Sequence, residues 1–342
     1  MFQALGASKL NPEVAFLPSK ALFLSMAIAW NVERLGRSVI AVPPLARDAS
    51  GKISASDNER IVTKLRSGGI EVFLYGGNAI LYHVSPSEYS DLCEMLMGFS
   101  RTGEDFVPAV GPGFGMMMEQ AKVLREFDFP TAMVLPTLDM AKPSGVASGI
   151  RRFAEALGKP VVVYLKFEGY LDLSDLQALV EDGVVAWVKY AVVREEPLED
   201  DLLKEMVDRI GPDGVVSGMG EQPATVHLQD FGLCGFTSGC VCLAPALSTA
   251  MLKALKSGDI ALAEEIRTEF RSLEDLRNGI HPVSVLHSAV ELSGIASTGP
   301  LLPLLESPEE SALAEIRRAC LTLMEKEQAR ISAVDLAEGL MS

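Results

Sequence analysis

Val184-Val185-Ala186-Trp187-Val188-Lys189-Tyr190-Ala191-Val192-Val193 is an apolar run with a single lysine near its centre. Its length and its content of valine and aromatics read as a strand buried on both faces, the kind found in parallel sheets. A lysine inside such a strand holds its ammonium in apolar surroundings, which disfavours the charged form. A desolvated lysine is a nucleophilic amine able to form a Schiff base with a carbonyl compound. The competing reading puts Lys189 at a strand end with its ammonium snorkelling to water. The run alone leaves both open.

On either side of it the sequence repeats one unit. Strands are expected at residues 39–42, 71–75, 106–110, 131–135, 160–165, 184–193, 214–217 and 233–238. Helical segments follow them at 57–67, 86–97, 116–127, 144–157, 173–181, 198–210, 222–231 and 245–255. Ser85-Pro86-Ser87-Glu88 has the signature of a capping box with proline at the first helical position. Eight strand–helix units over residues 37–258 have the size and rhythm of a (β/α)8 TIM barrel, with right-handed crossovers and a parallel sheet. An open doubly wound sheet is the runner-up, and no glycine-rich dinucleotide fingerprint follows the first strand. Residues 1–36 form an N-terminal extension with one helix over 19–35, capping the barrel bottom or making an interface. From 259 to 342 no strand intervenes. Helices at 261–270, 283–292 and 309–326, with a short one near 334–339, make a C-terminal helical appendage packed on the barrel.

Composition narrows the function. The chain has 342 residues, is 48% hydrophobic and carries a net charge of −16, the opposite of a nucleic-acid binder. Five cysteines are an odd count in a large chain, which argues against a disulfide framework, and Cys240-Val241-Cys242 has the wrong spacing for zinc. The four histidines, His83, His227, His281 and His287, form no metal-ligand spacing, so no metal site is expected, and Schiff-base chemistry at Lys189 would need no cofactor. The apolar run at residues 21–30 is too short to span a bilayer. Ala27-Ile28-Ala29 is similar to a signal-peptidase site, but Glu13 and Pro18 precede it without a clustered basic start. A cytoplasmic enzyme with no membrane partner is the expectation.

In a barrel of this kind chemistry sits at the C-terminal ends of the strands and in the loops after them. Strand two ends in Gly76-Gly77-Asn78-Ala79, where backbone N–H groups can converge on a carboxylate, although a plain tight turn has the same composition. Strand five ends near Tyr164, with Lys166, Glu168 and Tyr170 beyond it. A tyrosine at a strand tip relays protons if it is oriented or its pKa lowered; otherwise it is a core aromatic with its hydroxyl in water. Strand seven ends in Ser217-Gly218-Met219-Gly220-Glu221 and strand eight in Thr237-Ser238-Gly239. Glycines there also suit a phosphate site.

With these segments in order, the chain resembles the dihydrodipicolinate synthase / N-acetylneuraminate lyase family of Schiff-base aldolases and dehydratases over roughly residues 37–305. Tyr75-Gly76-Gly77-Asn78 followed by Val84-Ser85-Pro86-Ser87-Glu88 matches the family's strand-two loop and helix. Val163-Tyr164-Leu165 matches its Y-N strand, and Trp187-Val188-Lys189 its G-[IV]-K strand. Ser217-Gly218-Met219-Gly220 and Gly235-Phe236-Thr237-Ser238 match its S-G-x-D and G-x-x-S segments. The tail from Pro282-Val283-Ser284 through Gly294-Ile295 to 300–303 is similar to its C-terminal helical region.

The resemblance implies that Lys189 forms the imine with a 2-oxo acid such as pyruvate or a keto-deoxy sugar acid, and that Tyr164 relays protons. It implies that Gly77 and Asn78 hold the carboxylate, with Gly218, Thr237 and Ser238 as further substrate-binding residues, and that the protein is a homo-oligomer, dimer or tetramer. The sequence departs from the family where loop hydroxyls are replaced by Gly77 and Asn78 and a loop glutamate by Ile80. The tyrosine after strand four is absent from Pro136-Thr137-Leu138. The arginine after strand five aligns near Gly169, leaving Lys166 as the nearby cation. A sugar-acid aldolase or dehydratase therefore fits better than a dihydrodipicolinate synthase. Two rival readings are a barrel that binds a phosphorylated ligand through the loops after strands seven and eight, and a catalytically retired binding barrel.

Overall fold

The computed structural model describes residues 19–341. The part of the N-terminal extension before Ser19 lies outside the described residues. Two short helices come first, α1 (Lys20–Ile28) and α2 (Val32–Leu35). The barrel follows: β1 (Ile40–Ala41), α3 (Ala55–Ser67), β2 (Val72–Tyr75), α4 (Pro86–Phe99), β3 (Asp105–Val110), α5 (Phe114–Leu124), β4 (Met133–Val134) and α6 (Pro143–Leu157). Its second half is β5 (Val161–Leu165), α7 (Leu173–Glu181), β6 (Val185–Tyr190), α8 (Asp201–Ile210), β7 (Val215–Ser217), α9 (Ala224–Gln229), β8 (Gly235–Ser238) and α10 (Pro245–Ser257). Three helices complete the chain, α11 (Ile260–Gly279), α12 (Pro282–Leu292) and α13 (Glu310–Met341). The eight strands pair in sequence order, all parallel, and β8 closes onto β1. This is the (β/α)8 barrel that the repeating unit implies.

Every residue of β6 is buried, as its unbroken apolar character requires. Tyr164 of β5 lies opposite Lys189 of β6 in the register, and Lys189 opposite Val216 of β7. Side chains alternate along a strand. Trp187 and Lys189 therefore point into the barrel, while Tyr190 points out to the start of α8, where its hydroxyl donates to Asp200 at 2.6 Å.

The expected single helix over 19–35 is broken in two. Asn31 caps α2, its Oδ1 accepting from the Arg34 amide at 3.0 Å, and Trp30 turns inward. The Trp30 ring meets Trp187 at 6.3 Å between centroids and carries the Arg34 guanidinium 3.9 Å above it. The extension thus covers the N-terminal end of β6. Gly183, at φ +73°, makes this possible: a Cβ there would stand 2.5 Å from the Leu24 amide nitrogen.

The capping box at α4 is half made. Ser85 Oγ accepts from the Glu88 amide at 3.3 Å, but the Glu88 carboxylate binds the buried Arg47 guanidinium with both oxygens instead of returning to Ser85. A two-point charged bond outweighs one neutral backbone contact. The C-terminal helices are longer than expected. α11 runs past Phe270 to Gly279, and the two helices expected after residue 309 are one, because no glycine or proline interrupts 271–278 or 310–338. Glu327 fixes α13 to the barrel by accepting from the first amides of α10, Ala246 at 3.0 Å and Leu247 at 2.9 Å. Among the described residues no helix is long and apolar enough to cross a membrane. All five cysteines are buried and unpaired.

Candidate active site

A cavity of about 730 Å³ opens at the C-terminal ends of the strands, and Lys189, Tyr164, Gly77, Asn78, Gly218 and Thr237 all line it. Residues scattered over five of the eight strand ends are thereby brought to one wall-to-wall space.

Lys189 is 4% exposed and has no carboxylate partner among the described residues. Its Nζ lies 4.6 Å from the centroid of the Tyr164 ring. Burial, with Lys166 and Arg277 adding like charge, pushes its ammonium down to about 7. The snorkelling alternative is therefore not what the fold adopts. At pH 7 an ordinary lysine has roughly one amine in a few thousand unprotonated, whereas a pKa lowered to about 7 gives Lys189 a substantial share of free base. Tyr164 is also buried, and burial raises its hydroxyl above the usual phenol range, so it stays protonated. The lowered pKa that would make it a phenolate is not found. It is available as a neutral donor that can pass a proton and regain it.

Gly218 is shaped to Lys189. A Cβ at this position would stand 2.7 Å from the Tyr190 carbonyl oxygen, 2.8 Å from Ala191 Cβ and 3.0 Å from Lys189 Cγ. Only hydrogen lets the loop after β7 lie against the lysine stem. Gly218→Ala is expected to displace Nζ by a fraction of an ångström and to lower turnover about a hundredfold with the fold retained. Steady-state kinetics beside circular dichroism checks this; unchanged turnover would show that the contact is slack.

The loop after β2 is held from outside. Asn78 Nδ2 donates to the Val42 carbonyl at 2.8 Å, and the Asn78 carbonyl accepts from His287 Nε2 at 2.7 Å. That bond places the His287 proton on Nε2, and burial holds the ring neutral, its pKa down at about 4. The amides of Gly77 and Asn78 donate to no group among the described residues. Ile80, which stands where the family has a loop glutamate, has φ +56°, in the left-handed region that β-branched residues avoid.

The expected residues divide at β8. Thr237 lines the cavity, but Ser238 does not: its hydroxyl donates to Glu221 at 2.8 Å and accepts from the Val241 amide at 3.0 Å. The loop after β7 also lacks a phosphate nest. The amides of Gly218, Gly220 and Glu221 donate to Tyr190 O, Thr237 O and Glu274 Oε1, and two carboxyl groups stand behind them. This removes the basis of the phosphorylated-ligand reading in that loop.

Arg277, Glu274 and Glu221 form a second layer that the strand-end reading does not contain. Glu221 accepts the hydroxyls of Ser238 and Ser248, at 2.8 and 2.7 Å. Glu274 and Arg277 come from the part of α11 beyond Phe270, and both line the cavity. Their signal in the sequence was the unbroken helical periodicity after Phe270, which carries a turn over the barrel mouth. Among the described residues no cluster of three histidine, cysteine or acidic side chains converges as metal ligands.

No family model matches the chain. A probable 5-dehydro-4-deoxyglucarate dehydratase 2 of Streptomyces coelicolor is 21% identical over 293 residues, 83% of this chain and 88% of the relative. A 4-hydroxy-tetrahydrodipicolinate synthase of Methanopyrus kandleri is 27% identical over 182 residues, 52% of this chain and 59% of that one. Among solved structures, dihydrodipicolinate synthase from Bacillus clausii superposes with a TM-score of 0.75 at 21% identity, covering 84% of this chain and 97% of that one. The likenesses run to 5-dehydro-4-deoxyglucarate dehydratases and 4-hydroxy-tetrahydrodipicolinate synthases, in keeping with the resemblance read from the sequence, and the solved dihydrodipicolinate synthase shares the barrel fold.

Proposed function

We propose that this chain belongs to the dihydrodipicolinate synthase / N-acetylneuraminate lyase family and is a Schiff-base lyase, an aldolase or dehydratase that acts on a 2-oxo acid of the sugar-acid kind. The observation that carries the reading is Lys189: a buried amine whose pKa burial lowers to about 7, without a carboxylate partner among the described residues, set beside a protonated tyrosine in the strand-end cavity. In this reading the Nζ lone pair attacks the ketone carbon and the carbonyl oxygen takes up a proton to give a carbinolamine. Loss of that oxygen as water leaves a protonated imine. The imine then accepts the electron pair released when a bond at the neighbouring carbon breaks, and returns it when one forms. Tyr164 carries the protons in both directions, and the free amides of Gly77 and Asn78 receive the carboxylate.

The sugar-acid branch is favoured over the synthase branch on two grounds. The likeness to the dehydratase extends over more of the chain than the likeness to the synthase. Near Gly169, where the synthases' arginine aligns, the available guanidinium, Arg194, is already paired with Glu168 and with Asp200. Assembly as a homodimer or tetramer is part of the same proposal, and the mass in solution checks it.

The test is reductive trapping. Incubation with pyruvate, or with a panel of 2-oxo acids, followed by borohydride is expected to leave a covalent adduct on the Lys189 peptide, absent from Lys189→Ala. Tyr164→Phe is expected to keep the site but slow adduct formation by roughly a hundredfold to a thousandfold. Absence of any adduct across the panel would leave the retired binding barrel as the better account.

A further inference from the structure

Arg277 projects from α11 to the cavity wall between the ends of β8 and β2. Its guanidinium is poorly used. Nε donates to the Pro282 carbonyl at 3.1 Å, but Nη1 is 3.7 Å from Cys240 Sγ and Nη2 is 3.5 Å from Asn78 Oδ1. A guanidinium has five N–H donors in a fixed fork, and the outer edge of this one lacks a strong acceptor. Gly239 leaves room for it, since a Cβ there would stand 3.0 Å from Nη2.

No carboxylate forms an ion pair with Arg277 among the described residues. Glu274, one turn earlier on the same face of α11, is engaged by the loop after β7: Oε1 accepts the Glu221 amide at 3.0 Å. Burial of Glu274 beside Glu221 raises both acids, which favours their protonated forms and weakens their hold on the guanidinium. Lys166 and Lys189 line the same cavity and are likewise without an ion pair among the described residues. A chain of net charge −16 that gathers three basic side chains in one cavity, none in an ion pair among the described residues, offers an anion a site there.

We infer that Arg277 grips the carboxylate adjacent to the ketone of the 2-oxo acid, its Nη edge closing on the oxygens that the amides of Gly77 and Asn78 receive from the other side. The contact with Asn78 is what assigns Arg277 to that carboxylate rather than to one farther along the substrate. The guanidinium supplies from α11 what the missing loop hydroxyls do not supply from β2. This rests on the imine reading for what the carboxylate is attached to.

Trapping at pH 8.5, with the wild type, Arg277→Gln and Arg277→Lys, tests it. Arg277→Gln is expected to raise the pyruvate concentration for half-maximal trapping by about 30-fold, with the saturated rate largely kept. Arg277→Lys should recover part of the loss. Pyruvamide, in which a neutral amide replaces the carboxylate, should be trapped equally by all three. Wild-type affinity for pyruvate in Arg277→Gln overturns the inference, as does a loss confined to 2-oxoglutarate, which would assign Arg277 to a distal carboxylate. If even the wild type gives no adduct, the imine reading fails by itself. The rise in melting temperature with pyruvate, expected in the wild type and not in Arg277→Gln, then decides the role of Arg277 separately.

Discussion

Lys189→Met is expected to abolish turnover, by a factor on the order of 10⁴ or more, while the protein stays folded. Methionine keeps the unbranched stem that Gly218 and the strand accommodate, and it removes only the amine. The pH profile of the wild type gives the same conclusion a second handle. The amine must be neutral to attack, and burial with Lys166 and Arg277 lowers its pKa to about 7. The rate of imine formation should therefore be flat at alkaline pH, bend near 7, and be down about a hundredfold at pH 5. Lys166→Gln takes away a like charge, so Lys189 should titrate at higher pH and the bend should move up; a bend that stays in place would leave desolvation and Arg277 as the causes. A lysine whose pKa is depressed on folding binds fewer protons in the native state than in the unfolded one, and so opposes folding. The penalty is full below about 7, shrinks from there to the ordinary lysine value, and is gone above it. Lys189→Met should thus be more stable than the wild type at neutral pH and no different near pH 11. Urea unfolding at the two pH values checks this, and equal stability at both would mean that the amine is better solvated than its surroundings indicate.

The same lysine shows what could be read before the fold was known. A strand buried on both faces is legible because its whole length is apolar, and eight such runs separated by helical periodicity leave few architectures. Tyr164 and Lys189 could be paired because a parallel register places neighbouring strand tips together. Arg277 and Glu274 could not. Between Phe270 and Gly279 the sequence is rich in charge, which on a helix reads as a solvated face, and only the barrel beneath it turns two of those charges inward. Ser238 fails in the opposite sense. It sits at a strand tip of the right composition, yet the carboxylate that claims its hydroxyl, Glu221, lies on another loop. The break between α1 and α2 was signalled by Asn31, a favoured cap, and was obscured by the continuous apolar run before it. Local signals give elements; side-chain partners contributed by distant segments do not show in local signals.

The acid pair is where the second large effect is expected. Glu221→Ala should cost about 3–5 kcal/mol of stability, because it empties a fully buried site and strands the hydroxyls of Ser238 and Ser248. Glu274→Gln should behave differently. Glu274 Oε1 keeps its acceptor role toward the Glu221 amide when the residue is an amide, and the other atom, which has no partner, is where a proton or an NH2 group fits. The pair is raised by burial and by the nearness of one carboxyl to the other, with Arg277 as the only cation acting on Glu274 among its named neighbours. An acid raised on folding adds stability that is fully present below its unfolded pKa and is lost as pH climbs through the folded value. The wild type should therefore weaken on the alkaline side, and Glu274→Gln should weaken less. Denaturant midpoints at pH 5.5 and 9 measure the difference, and a wild-type slope that persists in Glu274→Gln would place the titrating group elsewhere. The consequence reaches the cavity. Once Glu274 ionises it lies one helical turn from Arg277 and offsets the charge that the carboxylate needs, so 2-oxo acid affinity should fall with rising pH in the wild type and hold in Glu274→Gln. Burial that raises Glu274 favours the form that leaves the guanidinium open to substrate.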